Sequence, residues 1–196
     1  MKNTTILALI ISILSFFFPA PSNAETSSDV EVLPEITLTV PDNKGYIQYL
    51  GLKGEPGTSF SLNDIDADIL LIELFSMYCP YCQNVAPTVN ELYEKIEQTK
   101  RPDLKLVIIG IGANNTDLEV DIFRQGFDIA FPLFSDSDMS IYNTLAGAGT
   151  PGFIGCRKDG EKSVIFFRES GGFTDHSQFL ADLLHRAGVK EVDRVR

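Results

Sequence analysis

Cysteine is scarce in this chain: 196 residues hold three, at Cys79, Cys82 and Cys156. That is too few for a small fold stapled by disulfides, whereas a 44% hydrophobic content is enough for one globular domain with a full core. Basic residues are also few, 16 against 27 acidic ones, for a formal charge of −11. Such a surface repels nucleic acid and anionic membranes, so neither is an expected partner. Only two histidines occur, His176 and His185, far along the chain from the cysteines, and there is no second Cys-x-x-Cys. A zinc or copper site would therefore lack ligands, and no metal is expected. Internal repeats and low-complexity stretches are missing as well.

Beyond the first two dozen residues no apolar run could span a membrane. Those first residues read as a secretory signal: Lys2 supplies a positive start, Ile6 to Phe18 an apolar stretch, and Ser22-Asn23-Ala24 a small-residue cleavage site. The apolar stretch falls short of the ~20 residues needed to cross a bilayer, and Pro19 and Pro21 end it. Cleavage after Ala24 leaves 15 basic and 27 acidic residues, a formal charge of −12. The mature protein is expected in the periplasm or otherwise outside the cytosol, where disulfides are permitted and unpaired thiols are unusual.

What is present is Cys79-Pro80-Tyr81-Cys82. It follows the apolar run Ile69 to Phe75 and precedes a helical pattern from Gln83 in which Val85, Val89, Leu92 and Ile96 recur at helical spacing. Two thiols thus stand at a strand-to-helix junction. A loop closed across two residues constrains the unfolded chain little, so a redox role accounts for the pair better than a structural staple. At the first position a thiolate would face free backbone N–H groups and the positive end of a helix dipole, which marks Cys79 as the nucleophile.

The rest of the chain reads as an α/β domain. Residues 25 to 28 form a polar mature N-terminus. Glu35 to Val40 and Gly45 to Leu52, separated by Pro41-Asp42-Asn43-Lys44-Gly45, are predicted to form a β-hairpin. This hairpin belongs to an extension over residues 25–53, and the main domain occupies 54–196. Asp68 to Phe75 is nearly continuous in Ile and Leu, as in a strand covered on both faces, and Glu73 interrupts it. Pro87 should kink the helix after the cysteines. Leu104 to Ile111 is a second strand, Asn114 to Asp117 starts a second helix, and Phe131 to Phe134 is extended. A short helix from Asp138 leads to Gly147-Ala148-Gly149-Thr150-Pro151-Gly152. Phe153 to Cys156 and Val164 to Arg168 make a hairpin about a turn at Arg157 to Gly160, and Asp175 caps a last helix.

With these residues in place, the chain resembles the thioredoxin fold in its exported TlpA-like form, related to the cytochrome c maturation reductases. The resemblance covers roughly Gly54 to Ala187. It rests on Glu73-Leu74-Phe75-Ser76-Met77-Tyr78-Cys79-Pro80-Tyr81-Cys82, on Gly149-Thr150-Pro151, and on the hairpin and helix that follow. It implies a central mixed β-sheet flanked by helices. Glu73 then matches the family's buried acid beneath the dithiol, sharing a strand face with Phe75, and would take the proton from Cys82 as that thiol attacks. Pro151 matches the family's cis-proline, and Thr150 would offer main-chain hydrogen bonds to an extended substrate. Tyr78, Pro80 and Tyr81 complete the expected substrate-binding set. The sequence departs from the family at Tyr78, where Trp is usual, at Gly152, where Thr is common, and in the extra Cys156, which reads as a buried inert side chain.

The resemblance implies a thiol-disulfide oxidoreductase that exchanges its Cys79–Cys82 dithiol or disulfide with protein substrates. It needs no other cofactor and is recycled by a membrane or soluble electron-donor protein, with reduction the favoured direction. Alternatives are a disulfide-forming oxidant and a glutaredoxin-like reductase, to which Pro80-Tyr81 and Gly171-Gly172 with Asp175 are weakly similar. From other classes come a metal-binding protein, a peroxidase, whose Pro and Thr/Ser pattern before the reactive cysteine is only partly present through Ser76, and a redox-inert binding module.

Overall fold

The computed structural model describes residues 31–189, so the signal segment and residues 25 to 28 lie outside the described residues. Its centre is a five-stranded sheet built on β3 (Ile69–Phe75), whose seven residues are all buried. Continuous Ile and Leu suit a strand with no wet face. β3 pairs in parallel with β4 (Leu106–Ala113) and antiparallel with β6 (Gly152–Asp159), while β5 (Leu133–Asp136) and β7 (Lys162–Ser170) form the edges, giving the order β5-β4-β3-β6-β7.

Alternation along β3 divides its side chains between two cores. Leu71 and Phe75 face the layer made with α2 (Pro80–Gln98), α3 (Asp117–Gly126) and α5 (His176–Arg186), where Val89, Leu92, Phe123, Phe179 and Leu183 are buried. Leu70, Ile72 and Leu74 face the other layer, filled by Leu38, Leu50, Phe60 and Leu145 from the N-terminal segments and from α4 (Ser140–Thr144) and its end. Asp175 caps α5 as expected, accepting from the Ser177 and Gln178 backbones, both at 2.9 Å. The helix α2 continues through Pro87 as one element. At the β6–β7 connection Arg157 and Lys158 lie within β6, so the turn is tighter than the four residues predicted.

The N-terminal hairpin is a correction. Its first arm is the short strand β1 (Thr37–Thr39), but Lys44–Leu50 is a helix, α1. The Asn43 side chain accepts hydrogen bonds from the Gly45 and Tyr46 N–H groups at 2.8 and 3.3 Å, and Gly51 ends the helix in the left-handed region at φ 69°. Capping at both ends outweighed the partial alternation of Ile47 and Tyr49. The strand that pairs antiparallel with β1 comes from further on, β2 (Ser59–Ser61), which leads into a 3-10 turn at Leu62–Asp64.

Candidate active site

β3 delivers the chain to the site. After Phe75 the backbone turns through Ser76, Met77 and Tyr78, with the Cys79 N–H donating to the Ser76 carbonyl at 3.0 Å. Cys79 is the N-cap of α2 and Pro80 stands in its first turn, where a missing N–H costs nothing. Cys79 is half-buried, and its Sγ lies 3.2 Å from the Thr150 carbonyl oxygen. Cys82, one turn later, is 0% exposed. Both cysteines are free thiols.

The two thiols have opposite electrostatics. Burial acts to raise the Cys79 pKa, but hydrogen bonds from the Thr150 side chain, from the Cys82 side chain and from the Cys82 and Tyr81 backbones outweigh it, so this thiol lies below its ordinary value. At Cys82 burial dominates and the neighbouring Cys79 adds to it. The Ser76 backbone and Thr150 offset this only in part, and the thiol is pushed up to about 12. Cys79 is the poised member of the pair and Cys82 the protonated reserve.

Glu73 is 2% exposed, and its Oε1 makes no hydrogen bond among the described residues. Desolvation raises its carboxyl to about 8, so the side chain is mostly neutral at pH 7. It lies on the α2 side of β3 with Leu71 and Phe75, the side on which Cys82 is buried. The sheet register places Phe153 of β6 beside Glu73 and Gly152 beside Leu74. Pro151, the preceding residue, is thereby carried to the end of β3 from which the dithiol loop departs.

The Thr150–Pro151 peptide bond is cis. Three groups brace this loop: Tyr142 Oη accepts from the Gly149 N–H at 2.8 Å, the Gly171 N–H donates to the Pro151 carbonyl at 2.9 Å, and Ser170 Oγ donates to the Ala148 carbonyl at 3.4 Å. Gly171 is thus engaged with Pro151. Glycine at 152 has a steric cause, because a Cβ there would stand 2.9 Å from the Gly149 carbonyl oxygen.

Tyr78 and Tyr81 are 61% and 74% exposed and flank Cys79 on the surface. The Tyr78 hydroxyl donates to Glu119 of α3, which raises the tyrosine pKa and, as the first cause, lowers that of the carboxylate. The other oxygen of Glu119 accepts from the Thr116 backbone at 2.7 Å, closing the capping box of α3.

The structure therefore gathers Cys79, Cys82, Thr150, Pro151, Tyr78, Pro80 and Tyr81 around one helix start, with Glu73 on the strand below. Cys156, 1% exposed, faces the opposite core, where desolvation pushes its thiol up to about 12. His176 lies 3.2 Å from Glu91 on α2, away from the thiols. Among the described residues no three His, Cys, Asp or Glu side chains converge as metal ligands would, and no helix is long and apolar enough to cross a membrane. A cavity of about 1500 Å³ opens at the other end of the sheet, lined by Tyr49, Tyr93, Leu106 and Leu184 among others. Its Lys100, Arg101 and Lys105 are already paired with Glu97, Asp103 and Asp66.

Sequence reasoning missed three buried or braced groups: Asn115, Asp136 and Tyr142. Asn115 accepts from the Met77 N–H at 2.8 Å, and Asp136 accepts from the Ile141 and Tyr142 backbones at 3.0 and 2.7 Å. The available signals were Asn114-Asn115 at the end of an apolar strand and Asp136 just before a short helix, both the residue types that satisfy turn and cap donors.

A sheet of this order, with a dithiol at the head of the helix that follows its central strand and a proline loop against it, defines a thioredoxin-like protein. The sequence pattern of the AhpC/TSA family matches residues 35–169, and the chain belongs to that family. Among curated proteins it is similar to the thiol-disulfide oxidoreductase ResA of Bacillus cereus, 26% identical over 105 residues (54% of this chain, 58% of the relative). It is also similar to the ResA of Halalkalibacterium halodurans, 24% identical over 119 residues (61% and 63%). The chain thus spans about three fifths of the length of these relatives. Two solved structures share the fold. A secreted Mycobacterium tuberculosis disulfide oxidoreductase homologous to E. coli DsbE is 15% identical with a TM-score of 0.51, over 66% of this chain and 90% of the other. The thioredoxin domain of a Bacteroides vulgatus thiol-disulfide oxidoreductase is 15% identical with a TM-score of 0.56, over 78% and 96%.

Proposed function

We propose that this protein is an exported thiol-disulfide oxidoreductase that uses Cys79 and Cys82 to reduce disulfides in protein substrates. The observation that carries the reading is the asymmetry of the pair: a half-buried thiol of lowered pKa at a helix N-terminus beside a fully buried thiol of raised pKa. The Cys79 thiolate attacks one sulfur of a substrate disulfide, a mixed disulfide forms, and the other substrate sulfur leaves as a thiolate that takes up a proton. Cys82 then loses its proton and attacks Cys79 Sγ, the second substrate thiol departs, and two electrons have passed to the substrate. An electron-donor protein restores the dithiol.

Glu73 manages the Cys82 proton. With its carboxyl raised to about 8, it is an acid at neutral pH and becomes an effective base only as the pH approaches that value. The step it assists should accelerate with pH accordingly, while the reverse reaction, which returns a proton to Cys82, is served by the neutral form. Thr150 and Pro151 form one wall for an extended substrate segment, and Tyr78, Pro80 and Tyr81 form the other. Similarity to proteins named thiol-disulfide oxidoreductase supports the activity, and the apolar leader and the likeness to a secreted oxidoreductase support export. The TlpA-like resemblance favours reduction.

Trapping tests the reading. A Cys82→Ser variant expressed with its leader should accumulate mixed disulfides on Cys79, identifiable by mass spectrometry, and should lose them when Cys79 is also replaced. No adducts in that compartment would leave a binding module as the better account. A dithiol form that reduces insulin disulfides faster than the disulfide form oxidises reduced, unfolded ribonuclease would establish the direction; the opposite ranking would make the protein an oxidant.

A further inference from the structure

The turn that carries Cys79 to the helix is held from outside by side chains that have no part in the exchange chemistry. Asn115 is 0% exposed, a polar side chain in the core beneath this turn. Its Oδ1 accepts from the Met77 N–H at 2.8 Å, and its Nδ2 donates to the Asn114 carbonyl at 2.9 Å and reaches Ser76 Oγ at 3.5 Å. The Met77 carbonyl is taken separately by Gln83 Nε2 at 2.7 Å. Both polar groups of one residue in the turn are therefore occupied, the N–H by the β4–α3 connection and the carbonyl by α2 itself. Asn114, in the left-handed region at φ 54°, bends the chain so that Asn115 points inward, and its own N–H is held by the Asp136 carbonyl at 2.9 Å.

A buried amide that gave up its hydrogen bonds would cost more than those bonds are worth, so Asn115 and the turn fix each other. The turn in turn decides where Cys79 Sγ sits relative to the Tyr81 and Cys82 N–H groups at the head of α2. We propose that Asn115 is the principal positioning residue for Cys79, holding the Ser76–Cys79 turn so that the nucleophile stays at the helix N-terminus, with Gln83 as its auxiliary at the next peptide group, through the Met77 carbonyl. This role deepens the exchange function proposed above and rests on it for its biological meaning. The geometry on which it stands is independent of turnover.

The test is the rate at which Cys79 is alkylated by iodoacetamide across the range in which thiols titrate, about pH 5 to 10, read on the Cys79 peptide by mass spectrometry. Neither Asn115→Ala nor Gln83→Ala alters a charge, while Glu73, Cys82 and the Glu119 that binds Tyr78 are left in place. A change in the profile therefore reports position rather than a new field. Asn115→Ala should move the midpoint up by about one pH unit and slow alkylation at pH 7 by about tenfold. Gln83→Ala, at an exposed position where folding is not at stake, should move it in the same direction by about a third as much. If Asn115→Ala lowers the melting temperature and leaves the midpoint where it was, Asn115 is merely structural and the inference fails. If Asn115→Ala does not fold, an unmoved midpoint in Gln83→Ala overturns it, and a shifted one supports it. Failure of the wild type to exchange disulfides, with both shifts present, would overturn the redox function and leave the positioning role standing.

Discussion

Two buried thiols lie on opposite faces of the same sheet. Cys82, in the layer shared with α2 and α5, is 0% exposed, and Cys156, in the layer shared with the N-terminal segments, is 1% exposed. Desolvation pushes each to about 12. By burial and acidity they are the same residue. What separates them is the company: Cys82 has Cys79 within hydrogen-bonding reach and Glu73 on the neighbouring strand, whereas Cys156 sits across from Leu70 in an apolar layer. A protonated buried thiol is inert until something nearby can accept its proton and a sulfur is there to be attacked. The difference between the faces is a second sulfur within reach and a carboxyl without a partner in the core; the charges that act on Cys156, Arg168 and Glu31, are paired to each other.

The contrast can be broken or sharpened by substitution. Cys79→Ser should abolish disulfide exchange, a loss of at least about a thousandfold in an insulin-reduction assay; residual turnover through another sulfur would erase the distinction between the faces. Glu73→Gln comes next. The carboxyl ionises near 4.5 in the unfolded chain and at about 8 in the folded one. As pH rises between those values the unfolded state loses its proton first, so the folded state is progressively disfavoured, and above about 8 the penalty is constant. The glutamine variant should therefore gain stability relative to wild type as pH rises from 5 to 8, by roughly 3 kcal/mol in denaturant titrations, and the pH dependence of its resolving step should flatten. A constant stability difference across that range would mean that Glu73 is not buried as described.

Tyr142→Phe should cost about 1 kcal/mol and slow exchange about threefold, by freeing the Gly149 N–H beside Thr150. An effect confined to stability would place the support of the proline loop elsewhere. The smallest effect belongs to Cys156→Ala: exchange within about twofold of wild type and about 1 kcal/mol of stability for the lost sulfur. A matching check is that Cys156 stays unlabelled by an impermeant alkylating agent in the folded protein.

Much of this site is legible in sequence because its parts are local. A continuous Ile and Leu run, a helical repeat after it and two cysteines between them are all read within thirty residues, and Thr150-Pro151 before a strand marks the loop that meets Cys79. Glu73 stands out because a carboxylate inside such a run has no wet face to occupy. The bracing is another matter. Asn115 meets Met77 across 38 positions of sequence, and nothing in a single chain says that an Asn after a strand will turn inward rather than outward. The N-terminal helix departs from its side-chain pattern for a local reason: Ile47 and Tyr49 alternate like a strand, but the Asn43 and Gly51 caps weigh more in a seven-residue element than that pattern does.

The start of the described residues covers an edge through which copies of the protein could otherwise pair. The sheet's outer strand β7 is long, and a long open edge is a template for a second sheet. Here the Leu33 N–H donates to the Ser163 carbonyl at 2.8 Å, the Ile165 N–H donates to the Glu31 carbonyl at 2.7 Å, and Arg168 pairs with Glu31, which lowers the pKa of that acid. The segment ahead of β1 lies along this edge as a partial extra strand, and the opposite edge, β5, is only four residues long. A polypeptide trimmed back to the start of β1 would keep every member of the dithiol site but lose the buried Leu33 and Ile36 and expose that edge, so its defects would be in stability and in solubility at high concentration before they were in redox chemistry.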